Sequence, residues 1–249
     1  MPQVKDCLIV AAGKGTRLQG FGDLKPLITL CGTPLIEHAM RAANRAGVTR
    51  FVVVTGYKAP LLHEFLKTVE DEQGWQIDCV ENPEYEKSNG ISVLAAAPFL
   101  TGEFFLAMCD HVVETSLYEA LQKSRVPKSS IALGVDLRMS NPDVDLADVT
   151  KVAVRNGQIT AIGKSLSRYN AFDTGIFRAN PILFESLEQS RSKSGDCSIS
   201  SGMRLLAETG HALGIDVGQS RWLDVDAPQM HDKARQWLQS QSLQPSKSE

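Results

Sequence analysis

The chain has 249 residues, 43% of them hydrophobic and 22% charged, a globular composition that excludes a mainly disordered or collagen-like polymer. With 26 Lys and Arg against 29 Asp and Glu, the net charge is -3, so no general basic field gathers nucleic acid. No apolar run reaches the roughly 18 residues of a membrane helix, and the 5 cysteines form no C-x-x-C pair. Together these features predict a reduced, cytoplasmic protein without stable membrane insertion, a disulfide framework or a thiolate zinc site.

In chain order, Cys7–Ala12 (CLIVAA) is an apolar run of the kind found in strands buried on both faces. A glycine-rich loop follows. Pro34–Ala46 then places Leu35, Ile36, Ala39, Met40, Ala43 and Ala46 at helical spacing before Gly47. Phe51–Thr55 is a second buried strand, and the alternation continues through a helix near Ala59–Val69, a strand near Gln76–Glu81 and a helix starting near Gly90. Phe104–Met108 (FFLAM) runs into Cys109-Asp110-His111. This β/α alternation predicts a Rossmann-like, three-layer α/β fold with a mixed, mostly parallel sheet. Beyond residue 130, short strands are expected at Ile131–Val135, Lys151–Val154, Gln158–Ile162, Asp173–Phe177 and Leu213–Val217. Asn156-Gly157 marks a tight hairpin turn. No linker divides the halves, so one domain is expected over 1–238, with a last helix near Gln229–Leu238 and a polar, disordered tail over 239–249.

The chemistry concentrates in Ala11-Ala-Gly-Lys-Gly-Thr-Arg-Leu18 and Lys25-Pro26. Glycines after a buried strand let the backbone approach a ligand, and clustered N–H groups suit phosphate oxygens. Lys14, Arg17 and Lys25 add the countercharge that a simple strand-to-helix turn does not need. Neither common nucleotide signature fits. The G-x-x-x-x-G-K-[ST] loop is absent, and Gly13-x-Gly15 continues to Leu18 where a dinucleotide fingerprint needs glycine.

Leu8–Leu18 with Lys25-Pro26-Leu27 resembles the signature of the sugar-phosphate nucleotidyltransferase superfamily. The likeness extends through Gly32–Ile36, Asn89–Val93, Asp110, Asp173–Phe177 and Trp222–Asp226. Within that superfamily, Met108–His111, Ile162–Lys164 and Leu223–Pro228 look most like inositol-1-phosphate cytidylyltransferases. The resemblance implies attack of a substrate phosphate on the α-phosphorus of CTP with loss of pyrophosphate, catalysed by positioning and charge neutralisation. It assigns the nucleotide to Ala11, Ala12, Gly13, Gly15, Thr16, Arg17 and Lys25, with Arg17 and Lys25 in the catalytic role.

Asp110, just past an apolar strand, and Asp226 are the expected Mg2+ ligands, with Asp224 as the alternative second one. His111 is read either as touching the substrate or ion through a water or as a supporting or structural residue. Asn89 and Ser92 are the candidates for the base, although both also suit a turn and a helix cap. For the acceptor, Lys151, Lys164 and Arg168 offer charge to a phosphate, and Asp173 offers a carboxylate to hydroxyls or a cation. Trp222 and Tyr169 fit either a core or a quaternary-ammonium site such as phosphocholine needs. An aminoalkyl phosphonate or sugar 1-phosphate acceptor is a further alternative, and a non-catalytic nucleotide sensor is the reading from another class. A separate membrane enzyme consuming the CDP-alcohol is an expected partner.

Overall fold

A computed structural model describes residues 3–18 and 20–242. Strand β1 (Asp6–Val10) leads through two 3-10 turns, Thr16–Leu18 and Lys25–Leu27, to a short hairpin, β2 (Thr29–Leu30) and β3 (Thr33–Pro34). Helix α1 (Leu35–Arg45), β4 (Arg50–Thr55), α2 (Ala59–Gln73), β5 (Gln76–Glu81), α3 (Asn89–Ala95) and β6 (Phe104–Met108) follow. The second half contains β7 (His111–Val113), α4 (Thr115–Lys123), β8 (Ile131–Asp136), β9 (Lys151–Arg155), β10 (Gln158–Gly163) and β11 (Ala171–Ala179). It closes with α5 (Ile182–Ser194), α6 (Ile199–Glu208), β12 (Ala212–Asp216), β13 (Trp222–Asp224) and α7 (Pro228–Ser242).

The main sheet has nine strands in the order β5-β4-β1-β6-β11-β8-β12-β10-β9. Parallel pairing joins β5, β4, β1 and β6, and also β8 to β12. The β11 and β10 strands run against their neighbours, and the other strands of this sheet share one direction. The sheet is therefore mixed and mostly parallel, with the antiparallel strands extending it. Asn156 and Gly157 both have positive φ, 51° and 77°, which gives the β9–β10 hairpin the twist its strands require.

Period-two alternation along β1 sends Cys7 and Ile9 to one face, against α1, α2 and α4. Leu8 and Val10 go to the other face, against α3, α5 and α6. Each such fully buried aliphatic side chain contributes roughly 1.5–3 kcal/mol, which explains why an uninterrupted apolar run was needed. A third cluster joins Leu18, Leu30, Leu35, Val112 and Leu223 to Met230, Ala234 and Trp237 of α7. It anchors the end of the glycine loop and the β7–β13 ribbon to one support.

Helix α7 reaches Ser242, four residues beyond its expected end at Leu238, so Gln239–Ser242 belong to a helix and not to a disordered tail. Residues 243–249 lie outside the described ones. No helix among the described residues is long and apolar enough to cross a membrane.

Candidate active site

Strand order sets the location. The chain builds β1, β4 and β5 outward in one direction and then returns to place β6 on the other side of β1. Connections from β1 and β6 therefore diverge, opening a crevice beyond their carboxyl ends, where open α/β sheets bind ligands. The glycine loop leaves β1 and Asp110 follows β6, so both line this crevice.

Gly15 has φ +61°, and a Cβ there would collide with the side chain of Lys25. The residue must be glycine because the loop folds directly over the lysine stem. Lys25 begins its 3-10 turn next to Pro26 and is buried, and its Nζ pairs with both Asp110 and Asp226. Arg17 pairs with Asp226 and with Asp148, the latter at 2.9 Å, and Lys164 holds the other oxygen of Asp148. A chain of alternating charges thus crosses the crevice from Lys25 to Lys164.

The two-stranded β7–β13 ribbon brings the distant carboxylates together. Its register pairs His111 with Asp224 and Val113 with Trp222, and the Val225 N–H donates to the Asp110 carbonyl at 2.9 Å. His111 Nδ1 lies 2.8 Å from Asp110 Oδ1 and 4.0 Å from Asp224 Oδ1. Its ring is parallel to the buried Trp222 ring, with centroids 6.4 Å apart. On its other side is Gly175 (φ +74°), where any side chain would strike the imidazole. Asp173, on the bulged stretch of β11, accepts the Gly175 N–H at 2.8 Å.

The electrostatics follow from this packing. Burial alone would raise the Asp110 carboxyl, but Lys25 and His111 outweigh it and hold the group well below the usual carboxylate range. Burial opposes charging of Lys25, yet Asp110 and Asp224 carry its ammonium above its ordinary value. Burial also disfavours the imidazolium of His111, but Asp224, Asp110 and Asp173 push it up to about 9. Burial raises Asp224 over the opposing charge of His111, and lifts Asp173 to about 6.

Two adjoining cavities share Arg17, Asn89, Met108, Asp110 and Asp226. The first, about 300 Å³, is lined by Ala11, Gly13, Gly15, Thr16, Lys25 and Ser92, with Tyr85 at its side. The second, about 200 Å³, collects Asp143, Asp145, Asp148, Asp173 and Asp224 with His111 and Lys164. Most of the expected site residues therefore meet at one crevice. Ala12 does not line either cavity, and its carbonyl accepts the Tyr57 N–H. Lys151 also lies outside them, because its ammonium donates to the Lys164 carbonyl at 3.1 Å and sits over the Tyr169 ring. Arg168 is exposed and lines neither. Asn89 Oδ1 accepts the Ile199 N–H, tying α3 to α6 and leaving its NH2 group for the crevice. Lys14 turns outward to Glu86 at 2.5 Å.

Trp222 is anchored in the core and also lines the second cavity. It is buried, and its Nε1 donates to the fully buried Asp136, which also accepts from Arg138 and Asn141. Three contributors had no signal in the sequence: Asp143 and Asp145, and Asp148, which bridges Arg17 and Lys164. An irregular acidic stretch has no periodicity or spacing that separates it from an ordinary solvated loop.

Candidate metal ligands fall into two groups sharing Asp224: Asp110, His111 and Asp224, with one ring nitrogen, and Asp148, Asp224 and Asp226, whose carboxylate oxygens alone suit a hard divalent cation. Asp224 Oδ1 is buried without a hydrogen-bond partner among the described residues, leaving a carboxylate oxygen uncompensated at the junction of the two groups. The donor set fits such an ion.

Residues 7–144 match the family described as the MobA-like NTP transferase domain. The chain is 32% identical over 225 residues to the bifunctional IPC transferase and DIPP synthase of Rubrobacter xylanophilus, covering 89% of this chain and 49% of that protein. It is 32% identical over 233 residues to the protein of the same name from Thermococcus kodakarensis, covering 93% and 50%. The chain thus spans about half the length of these curated relatives. The solved inositol-1-phosphate CTP transferase from T. maritima has a TM-score of 0.81 at 27% identity, covering 94% of this chain and 97% of that one. UDP-glucose pyrophosphorylase complexed with UDP-glucose shares the fold, with a TM-score of 0.76 at 18% identity over 96% and 99% of the two chains. The glycine loop, its buried lysine and the facing aspartates lie in a chain that belongs to the MobA-like NTP transferase family of nucleotidyltransferases.

Proposed function

We propose that this chain transfers CMP from CTP to inositol 1-phosphate, giving CDP-inositol and pyrophosphate, with Mg2+ held by Asp110 and Asp226 and with Asp224 beside them. The observation that carries the reading is the meeting of two chemically different cavities at Arg17, Asp110 and Asp226, with Lys25 paired to both aspartates. One has a glycine loop and cations for a triphosphate, and the other has carboxylates for a polyol. The names of the relatives and of the T. maritima structure supply the substrate pair.

A phosphomonoester oxygen of the acceptor attacks the α-phosphorus. The bond between that phosphorus and the bridging oxygen to the β-phosphorus breaks, and pyrophosphate departs with the electron pair. The second pKa of a phosphate is near 6, so the nucleophile is largely deprotonated at neutral pH and no side chain has to remove a proton. The chain's residues position and neutralise. Gly13, Gly15 and Thr16 line the triphosphate path, Arg17 faces the departing phosphates, and Lys25 meets the charge that builds at the α-phosphate. Lys164 supplies countercharge on the acceptor side, and Asp173 and Asp148 accept hydrogen bonds from the polyol hydroxyls. Bound Mg2+ supplies Lewis-acid neutralisation of the phosphate oxygens. Asp110 and Asp226, which pair with Lys25 and Arg17 in this structure, are the residues that would hold the ion, and both cations would then be available to phosphate.

This reading keeps the reaction in the cytoplasm, with CTP, and requires an enzyme that consumes the CDP-alcohol. The relatives' printed names pair an IPC transferase with a DIPP synthase. The test is a matrix of four NTPs against phosphomonoesters and phosphonates with Mg2+ and a pyrophosphate readout. CTP with inositol 1-phosphate is expected to give the highest turnover. Turnover of a different pair with none for this one overturns the substrate assignment, and nucleotide binding without turnover of any pair overturns the enzyme.

A further inference from the structure

Ser92 lies in α3 and lines the first cavity; its bond to Asn82, which follows β5, sets it on one side of β1, whereas Asp110 follows β6 on the other. The end by Lys25 and Asp110 takes the reacting phosphate, so the side of the cavity bearing Ser92 is left for the base. The Ser92 hydroxyl is buried, and among the described residues it makes one hydrogen bond, at 3.0 Å to Asn82 Nδ2. Asn82 is itself buried at the end of β5. Its orientation is not free: the Glu84 backbone N–H donates to its Oδ1 at 2.9 Å, a turn in which an Asn side chain accepts from the residue two further on. A backbone donor cannot face the NH2 group, so the amide nitrogen has to point at Ser92. Ser92 Oγ is therefore an acceptor toward Asn82, and its proton is left to donate into the cavity.

We propose that Asn82 is a positioning residue for base selection, fixing the Ser92 hydroxyl as a hydrogen-bond donor that meets N3 of cytosine. This rests on the CTP reading above. The O2 atom is common to both pyrimidines and the 4-amino group is a donor, so a fixed donor that selects cytosine has to be read at N3. Uracil carries N3–H at that place, and two donors then face each other in a buried site.

The experiment measures binding of CTP and of UTP, each with Mg2+ and without acceptor, by titration calorimetry on the wild type, Ser92→Ala, Asn82→Ala and Asn82→Asp, with thermal melts on each. In Asn82→Asp the carboxylate accepts the Ser92 proton, turning the hydroxyl oxygen to the base as an acceptor. The CTP-over-UTP affinity ratio is expected to fall by about tenfold or more. Ser92→Ala and Asn82→Ala lower the ratio by weakening CTP alone. Loss of a merely structural asparagine would weaken both nucleotides alike and keep the ratio. If Asn82→Asp does not fold, the two alanine variants decide by the same criterion. A wild type without CTP preference takes down the CTP reading and this inference together. A wild type that prefers CTP, with the ratio unchanged in the folded variants, overturns the inference and leaves the reading standing.

Discussion

The two ends of the crevice handle charge in opposite ways. At the nucleotide end, the cations Lys25 and Arg17 are held by carboxylates of neighbouring loops, ready to exchange them for phosphate. At the acceptor end, carboxylates outnumber cations, and burial raises two of them, Asp173 and Asp224, above their ordinary values. A cation that exchanges one anion for another suits a highly charged ligand that comes and goes. A carboxylate crowded by its own kind suits a neutral hydroxyl, which it can accept without new charge. The net charge of -3 is thus compatible with an anion-binding enzyme, because the phosphate countercharge is local.

The largest expected effect lies where the ends meet. Lys25→Ala should lower kcat by about 10²–10³-fold, with a smaller change in the KM for CTP, as read by pyrophosphate release. An equal loss in KM with kcat preserved would make Lys25 a binding residue and blur the comparison.

Next comes the frame of the acceptor end. Asp136→Ala strips the buried Trp222 indole of its acceptor and leaves Arg138 only the Gln219 and Ser220 carbonyls, and should cost about 1–3 kcal/mol, measured by urea unfolding. The Asp136 carboxyl, which burial would raise, is held below the usual range by Arg138, Trp222 and Asn141. A group depressed in the folded state contributes stability above its unfolded value, and that contribution disappears as the pH falls through its folded value. The wild type should therefore lose stability below about pH 4, and the conservative Asp136→Asn should show a shallower acid limb in thermal melts. An identical acid limb would mean that this carboxylate stays equally paired in both states.

Smaller effects separate the two ends. Asp173→Asn should raise the KM for the acceptor by about tenfold and leave the KM for CTP unchanged. A rise in both would show that Asp173 acts through the shared metal group. Asp148→Asn removes half-exposed pairs with Arg17 and Lys164, so its stability cost should stay below about 1 kcal/mol and shrink further in salt. A larger loss would mean that Asp148 holds the two cavities together.

Legibility followed length and locality. β1, β4 and β6 announced themselves as apolar runs, and the glycine loop was readable because φ +61° at Gly15 and the countercharges fall within fifteen residues. The β7–β13 ribbon was not readable. Each strand is three residues long, too short to show a period, and its pairing joins His111 to a partner over a hundred residues away. The ribbon is also what adds Asp224 to Asp110, so the carboxylate pair was expected but the crowded group around it was not. Lys151 looked equivalent to Lys164 in the sequence, and a carbonyl and an aromatic ring within its own hairpin region took it out of the site. Trp222 could be read as a ligand cage or a core anchor, and its bond to the buried Asp136, which holds a ring that also lines the second cavity, had no sequence signal.

Acceptor competition tests the contrast between the ends most directly. At saturating CTP and Mg2+, inositol 1-phosphate and phosphocholine are offered together and the two CDP-alcohols are separated and counted. An acceptor end built of carboxylates for hydroxyls, with the Trp222 indole tied to Asp136, predicts CDP-inositol as the dominant product and a preference that falls in Asp173→Asn. Dominant CDP-choline would contradict it, and would mean that the aspartates of the second cavity serve a fixed positive charge.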